Sequence, residues 1–148
     1  MIDDRTTAYV IAAQPVFEDL RQVAAQLAGL LVLAATGSKD STPDHPMLAA
    51  SRQVLAQAQE GMTRAAAGVT AHARPHYAHV AHAAGALEHA LARAGAWPLA
   101  VDAVLLPLRD ACDHLQQAAS TLPGFAMVSF EQACCAVRSV RLKADTTV

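Results

Sequence analysis

The sequence predicts an all-α fold, built as an antiparallel up-down four-helix bundle with a short fifth helix at the C-terminal end. Four segments, each about twenty residues long, carry apolar residues at alternating steps of three and four. Prolines and glycines separate these segments. Alanine, the best intrinsic helix former, is the commonest residue, whereas aromatic residues make up only 4% of the chain. The 148 residues fit a single domain spanning 1–148.

The first long helix is expected to open at Pro15, because proline at the first helical position gives up no intrahelical hydrogen bond. Residues 1–14 are predicted either as a helical lead-in or as an arm. Gly37 is expected to end the helix. Its apolar stripe comprises Val16, Leu20, Val23, Leu27, Leu30 or Leu31, and Ala34.

Breaker residues place the next two helices. Residues 37–46 contain glycine, prolines, serines and aspartates, and this composition predicts a loop. The second helix is expected to begin at Pro46 and to end before Pro75, with a kink at Pro75 as the alternative to a true break. The third helix is expected to run from Pro75 to Ala94 and to be closed by Gly95.

The fourth helix is expected to begin at Pro98, to kink at Pro107 and to end at Pro123 and Gly124. Four glycines lie inside the helical patterns, where each costs about 1 kcal/mol relative to alanine. We expect close approach between helices to compensate for this cost. These glycines are Gly29, Gly61, Gly68 and Gly85.

A short fifth helix is predicted from Phe130 to about Arg141. Ser129 followed by Gln132 has the form of a capping box, which marks a helix N-terminus. Residues 142–148 are expected to form a frayed tail.

The net charge of −2 argues against a nucleic-acid partner, which would require a basic face. The longest apolar run, Leu27 to Ala35, is too short to span a bilayer, and the acidic start does not resemble a secretory signal. Three cysteines, two of them adjacent, do not form a disulfide framework. We therefore expect a cytoplasmic protein.

Histidine is the most unusual feature of the sequence, because five of the seven histidines lie between residues 72 and 89. The spacing places His72, His76 and His79 on one helix face. His114 on the fourth helix, with Asp110 one turn before it, is expected to face them. Imidazoles one turn apart can bind transition metals, so His72, His76, His79 and His114 are the candidate ligands of a metal site.

Two other interpretations of these histidines stay open. They form a solvated face that uses histidine in place of lysine, or they respond to pH because imidazole titrates near neutrality. His82 and His89 form a second line beside the first. No HExxH or Glu-x-x-His motif is present. Among cofactors a transition metal is preferred over haem, which would need an axial histidine with a second ligand.

The cysteines suggest a second chemistry. Cys112 and Cys134 are both expected to face the interior, where they would form a redox pair, and Cys135 is expected to be exposed and reactive. The alternative is that buried cysteine acts as a small hydrophobe.

Apolar residues on a second face of the first helix predict a surface for self-association or for a protein partner. Phe17 lies on this face, and Val10, Ile11 and Val32 widen it. No catalytic set is identifiable, so an enzyme is not the preferred interpretation. The leading hypothesis is a non-enzymatic bundle that acts through protein–protein contacts as a homo-oligomer. Metal or haem binding and thiol-based sensing are the alternatives.

Overall fold

The computed structural model of the chain describes residues 4–35, 46–96 and 101–122. These residues form four α-helices and contain no β-strand, which confirms the predicted all-α class. In chain order the helices are α1 (Asp4–Ala35), α2 (Pro46–Ala66), α3 (Arg74–Ala94) and α4 (Val101–Thr121).

Several sequence predictions fall outside the described residues. They are the 37–46 loop apart from Pro46, and both ends of the fourth helix, at Pro98 and at 123–124. The fifth helix at 130–141 and the tail at 142–148 also lie outside. The third helix agrees with its predicted span, and Pro107 lies inside α4 as expected.

The first helix begins well before Pro15, which lies inside α1. Residues 4–14 are therefore a helical lead-in and not an arm. Proline in a helix interior removes a hydrogen bond and costs roughly 3 kcal/mol. Burial outweighs this cost, since Tyr9 and Ala13 before the proline and Val16 after it all lie in the core.

The second helix ends at Ala66, before Pro75 as expected, and a non-helical segment separates it from α3 instead of a kink at Pro75. Turns connect α2 to α3. The backbone N–H of Gly68 donates to the carbonyl of Ala65 at 3.0 Å. The N–H of Ala73 donates to the carbonyl of Thr70 at 3.1 Å, and these bonds satisfy backbone groups that a continuous helix would have paired.

Neighbouring helices contact each other in a ring from α1 through α4, and α1 also contacts α3 across the centre. The hydroxyls of Thr6, near the start of α1, and Thr70, after α2, lie 2.8 Å apart. Ser51, early in α2, donates to the side-chain carbonyl of Gln26, late in α1, at 2.6 Å. These two contacts make α1 and α2 antiparallel, as expected for an up-down bundle.

The apolar stripes of all four helices meet in one core. Phe17 is 0% exposed, so the expectation that it lies on an outer face of α1 is wrong. Three helices contact α1, and this helix therefore buries a wider face than a single stripe. The largest fully buried side chains are Tyr9, Phe17, Leu20, Leu27, Leu31, Leu87, Leu105, Leu108, Leu115, His76 and Val23.

Close approach of two helices explains one of the four glycines within the predicted helices. A methyl group added at Gly61 on α2 would lie only 2.6 Å from Cγ2 of Val16 on α1. Gly29 and Gly85 face open space, and Gly68 lies in the turn after α2. Close helix approach, expected from the sequence to offset the cost of all four glycines, therefore occurs at Gly61 and not at the other three.

Gly61→Ala is predicted to destabilise the fold by about 1–3 kcal/mol, because the new methyl group overlaps the Val16 side chain. Gly29→Ala is the matched control, and it should stabilise the protein by up to about 1 kcal/mol through helix propensity alone. Urea unfolding followed by circular dichroism measures both. Equal stabilisation by the two substitutions would contradict the close contact between α1 and α2.

Candidate metal centre

Three ligand-type side chains converge where α3 packs against α4. His82 comes from α3, while Asp110 and His114 lie one turn apart on α4. Each offers one ligand atom, and these atoms all lie within 4.8 Å of one another. Nε2 of His82 lies 2.7 Å from Oδ2 of Asp110, and Nε2 of His114 lies 3.6 Å from Oδ1 of the same carboxylate.

These distances fit the edge of a tetrahedral metal site. Ligand atoms about 2.0–2.1 Å from a tetrahedral ion lie roughly 3.3 Å from each other. The two separations, which run to different oxygens of Asp110, fall on either side of that value. The side chains of His82 and Asp110 are each 50% exposed, so both have room to rotate in solvent.

Helix geometry brings these groups together. Asp110 and His114 share a face of α4 because they are four residues apart, and His79 and His82 are neighbours on α3 because they are three apart. His79 contacts His114, and His82 contacts Asp110, so the chain order reverses between the two helices. The antiparallel packing of α3 and α4 therefore sets the register of the cluster.

Two imidazoles flank the ring of His114. The His82 ring lies 3.7 Å away between centroids, and the His79 ring lies 5.2 Å away. Partial burial lowers the pKa of His114, and the charge of a protonated His82 lowers it further, while Asp110 raises it. His114 is thus neutral at pH 7, which is the form that binds metals.

His76 belongs to a different environment. It is fully buried, and its Nδ1 lies 2.8 Å from the hydroxyl oxygen of Tyr9 on α1. The two rings meet edge to face, with centroids 5.5 Å apart. Burial lowers the pKa of His76 to about 4, with a further contribution from His79. Burial also raises the pKa of Tyr9. Both groups are neutral at pH 7, and they form a polar contact within the core.

The structure separates the four histidines that the sequence spacing predicts as metal ligands. His79 and His114 are in contact, but His76 points to α1 and His72 lies exposed in the turn before α3. His82, assigned to the second line of histidines, takes part in the cluster instead. Sequence spacing identifies which histidines share a face of α3. Which of these faces meets α4 depends on how the two helices pack.

The other predicted site residues are more dispersed. Cys112 is buried in the core, while Cys134 and Cys135 lie outside the described residues. On α1, Val10 is half-buried and packs against the core, and Ile11 is 65% exposed. The side chain of Val32 is outside the described part of the chain. The thiol and interface assignments therefore remain predictions.

Comparison with protein-family models, with curated proteins and with solved structures finds no match to this chain. No ligand set or reaction is therefore carried over from a relative. Within the described residues, none of the helices combines the length and apolar character needed to cross a membrane.

The burial of His76 predicts that the fold weakens in acid. The pKa of His76 is about 4 in the folded chain and 6.5 in its ordinary state, so the unfolded chain takes up the proton first. The stabilisation is complete above pH 6.5 and is lost as the pH falls toward 4, at up to about 1.4 kcal/mol per pH unit. Urea midpoints at pH 7, 6 and 5 measure this loss.

His76→Asn is the matched variant, because asparagine keeps a polar atom near the position of Nδ1 but does not titrate. Its urea midpoint should change less with pH than that of the wild type. Some dependence should remain, since the pKa of His114 is also lowered. An identical pH dependence in the variant and the wild type would contradict a neutral, buried His76.

Proposed function

We propose that the protein binds one transition-metal ion through His82, Asp110 and His114. The observation that supports this proposal is the convergence of their three ligand atoms within 4.8 Å. Two imidazoles and one carboxylate are a ligand set that suits Zn²⁺ and other late first-row divalent ions. The exposure of His82 and Asp110 gives an ion direct access from solvent.

A bound ion would connect α3 to α4, because its ligands come from both helices. Binding to the folded state alone would raise the free energy of unfolding by mass action. Haem is less well supported. Its macrocycle needs a large apolar pocket, whereas His82 and Asp110 are half-exposed.

A second candidate function is self-association, in which the partner is another copy of this chain. Two large apolar side chains support it, since Ile11 on α1 is 65% exposed and Leu106 on α4 is 62% exposed. Leu106 lies one turn before Asp110 on the same helix. Contact between copies would remove these side chains from water, which is favourable by about 25 cal/mol per Å² of apolar surface.

Metal binding is tested on the full chain without an affinity tag, by calorimetric titration with Zn²⁺ or Ni²⁺ in the presence of a reductant. We expect one ion per chain. His82→Ala, Asp110→Asn and His114→Ala should each weaken binding by at least tenfold, because each removes one of three ligands. His72→Ala and His89→Ala are the controls, since both histidines are exposed and lie outside the cluster.

A further control separates this cluster from thiol ligands. The double variant Cys134→Ser and Cys135→Ser should bind the ion as the wild type does. The proposal is wrong if the wild type binds no ion, or if the double variant loses binding while His114→Ala retains it.

Self-association is tested by sedimentation velocity at micromolar concentration. If copies pair through the apolar side chains, Ile11→Glu or Leu106→Glu should shift the wild-type oligomer toward monomer, because burying a carboxylate at an interface is costly. Gln53→Glu adds the same charge at another exposed position and should have no effect. A monomeric wild type would refute this candidate function.

A further inference from the structure

We propose that His79 is a positioning residue for the metal centre, which orients His114 instead of binding the ion itself. This inference rests on the proposed metal-binding function. The spacing of the histidines along the sequence predicts His79 as a ligand. In the structure its Nδ1 lies 3.0 Å from Nδ1 of His114, within hydrogen-bond distance.

The two nitrogens of His114 face different partners. Nε2 is the atom near the carboxylate of Asp110, at 3.6 Å, while Nδ1 faces His79. Nε2 is therefore the ligand atom. A neutral imidazole that binds a metal through Nε2 carries its proton on Nδ1.

That proton defines the direction of the hydrogen bond in the metal-loaded protein. The Nδ1–H of His114 donates, so Nδ1 of His79 accepts, and His79 holds its own proton on Nε2. This arrangement fixes both the tautomer and the ring orientation of His114. Hydrogen bonds of this kind to metal-bound histidines raise the basicity of the ligand and hold it in place.

His79 is also unsuited to be a ligand in this arrangement. Its Nδ1 is occupied by the hydrogen bond to His114. The set of mutually close ligand atoms in the described residues comprises His82, Asp110 and His114. Three protein ligands leave a tetrahedral ion with one position for water or a small exogenous ligand.

Packing strengthens the effect of His79 on His114. The ring of His82 lies against the His114 ring, with centroids 3.7 Å apart and the planes tilted by 32°. The hydrogen bond that His114 donates to His79 holds its ring at Nδ1. Both contacts come from α3, so the ligand on α4 is oriented before an ion arrives. Loss of such a supporting hydrogen bond typically weakens metal affinity by about 10–100-fold.

Two substitutions of His79 test the proposal by Zn²⁺ titration of the full chain. His79→Leu removes the acceptor and should weaken binding by about 10–100-fold. His79→Asn places its amide oxygen near the position of Nδ1, where it accepts the hydrogen bond, so affinity should stay close to that of the wild type. His89→Leu is the matched control, since it removes an exposed histidine from the same helix outside the cluster.

Nitrogen-15 NMR of the imidazoles supplies a readout that a purely structural role would not change. In the Zn²⁺-loaded wild type and in the loaded His79→Asn variant, the Nδ1–H of His114 should exchange slowly with water because it is hydrogen-bonded, whereas in His79→Leu it should exchange rapidly. Circular dichroism of the metal-free variants confirms that their folding is unchanged. A His114 proton on Nε2 in the loaded protein would overturn the proposal.

The titrations distinguish failure of this inference from failure of the metal site. If His79→Leu binds Zn²⁺ as tightly as the wild type, His79 has no positioning role, and the proposed metal site is unaffected. If His79→Leu and His79→Asn both lose as much affinity as His114→Ala, His79 is a ligand and the inference is wrong. If the wild type binds no ion, the proposed function fails, and the inference fails with it.

Discussion

The burial of α1 against the other three helices organises the core of this protein. Because α1 contacts every other helix, it needs apolar residues over a wide face, and Phe17 lies in the core as a result. The same packing tolerates Pro15 in the helix interior, since buried side chains on both sides hold the helix together. It also brings Tyr9 against α3, where the hydroxyl reaches the buried His76.

The position of α3 in this packing gives successive histidines different environments. Steps of three residues rotate the side chain by about 60° around a helix. His76 therefore lies in the core, His79 at the edge of the core and His82 in solvent. Burial lowers the pKa of His76 strongly. His79 at the edge and His82 at the surface contact α4, where Asp110 and His114 complete the cluster. One helix thus supplies both a neutral core histidine and the groups of a surface site.

The sequence predicted the parts of this structure that depend on local chemistry. Breakers and apolar periodicity identified the all-α class and the extent of α3, because capping and periodic burial act within one segment. Two predictions for α1 were wrong: that the helix begins at Pro15 and that Phe17 lies on an outer face. Both features depend on how many helices pack around α1. The inclusion of His82 in the cluster was missed because the register between α3 and α4 is a tertiary property.

The relation between the cluster and the core determines what an ion would add. Small zinc domains need their metal to fold, because they bury too little apolar surface on their own. Here Leu87 on α3 and Leu105 and Leu108 on α4 are fully buried in the common core, so these two helices are held together without a metal. An ion at His82, Asp110 and His114 would therefore bind between helices that are already packed together. Its binding energy would add to the stability of the fold and would not be required to create it.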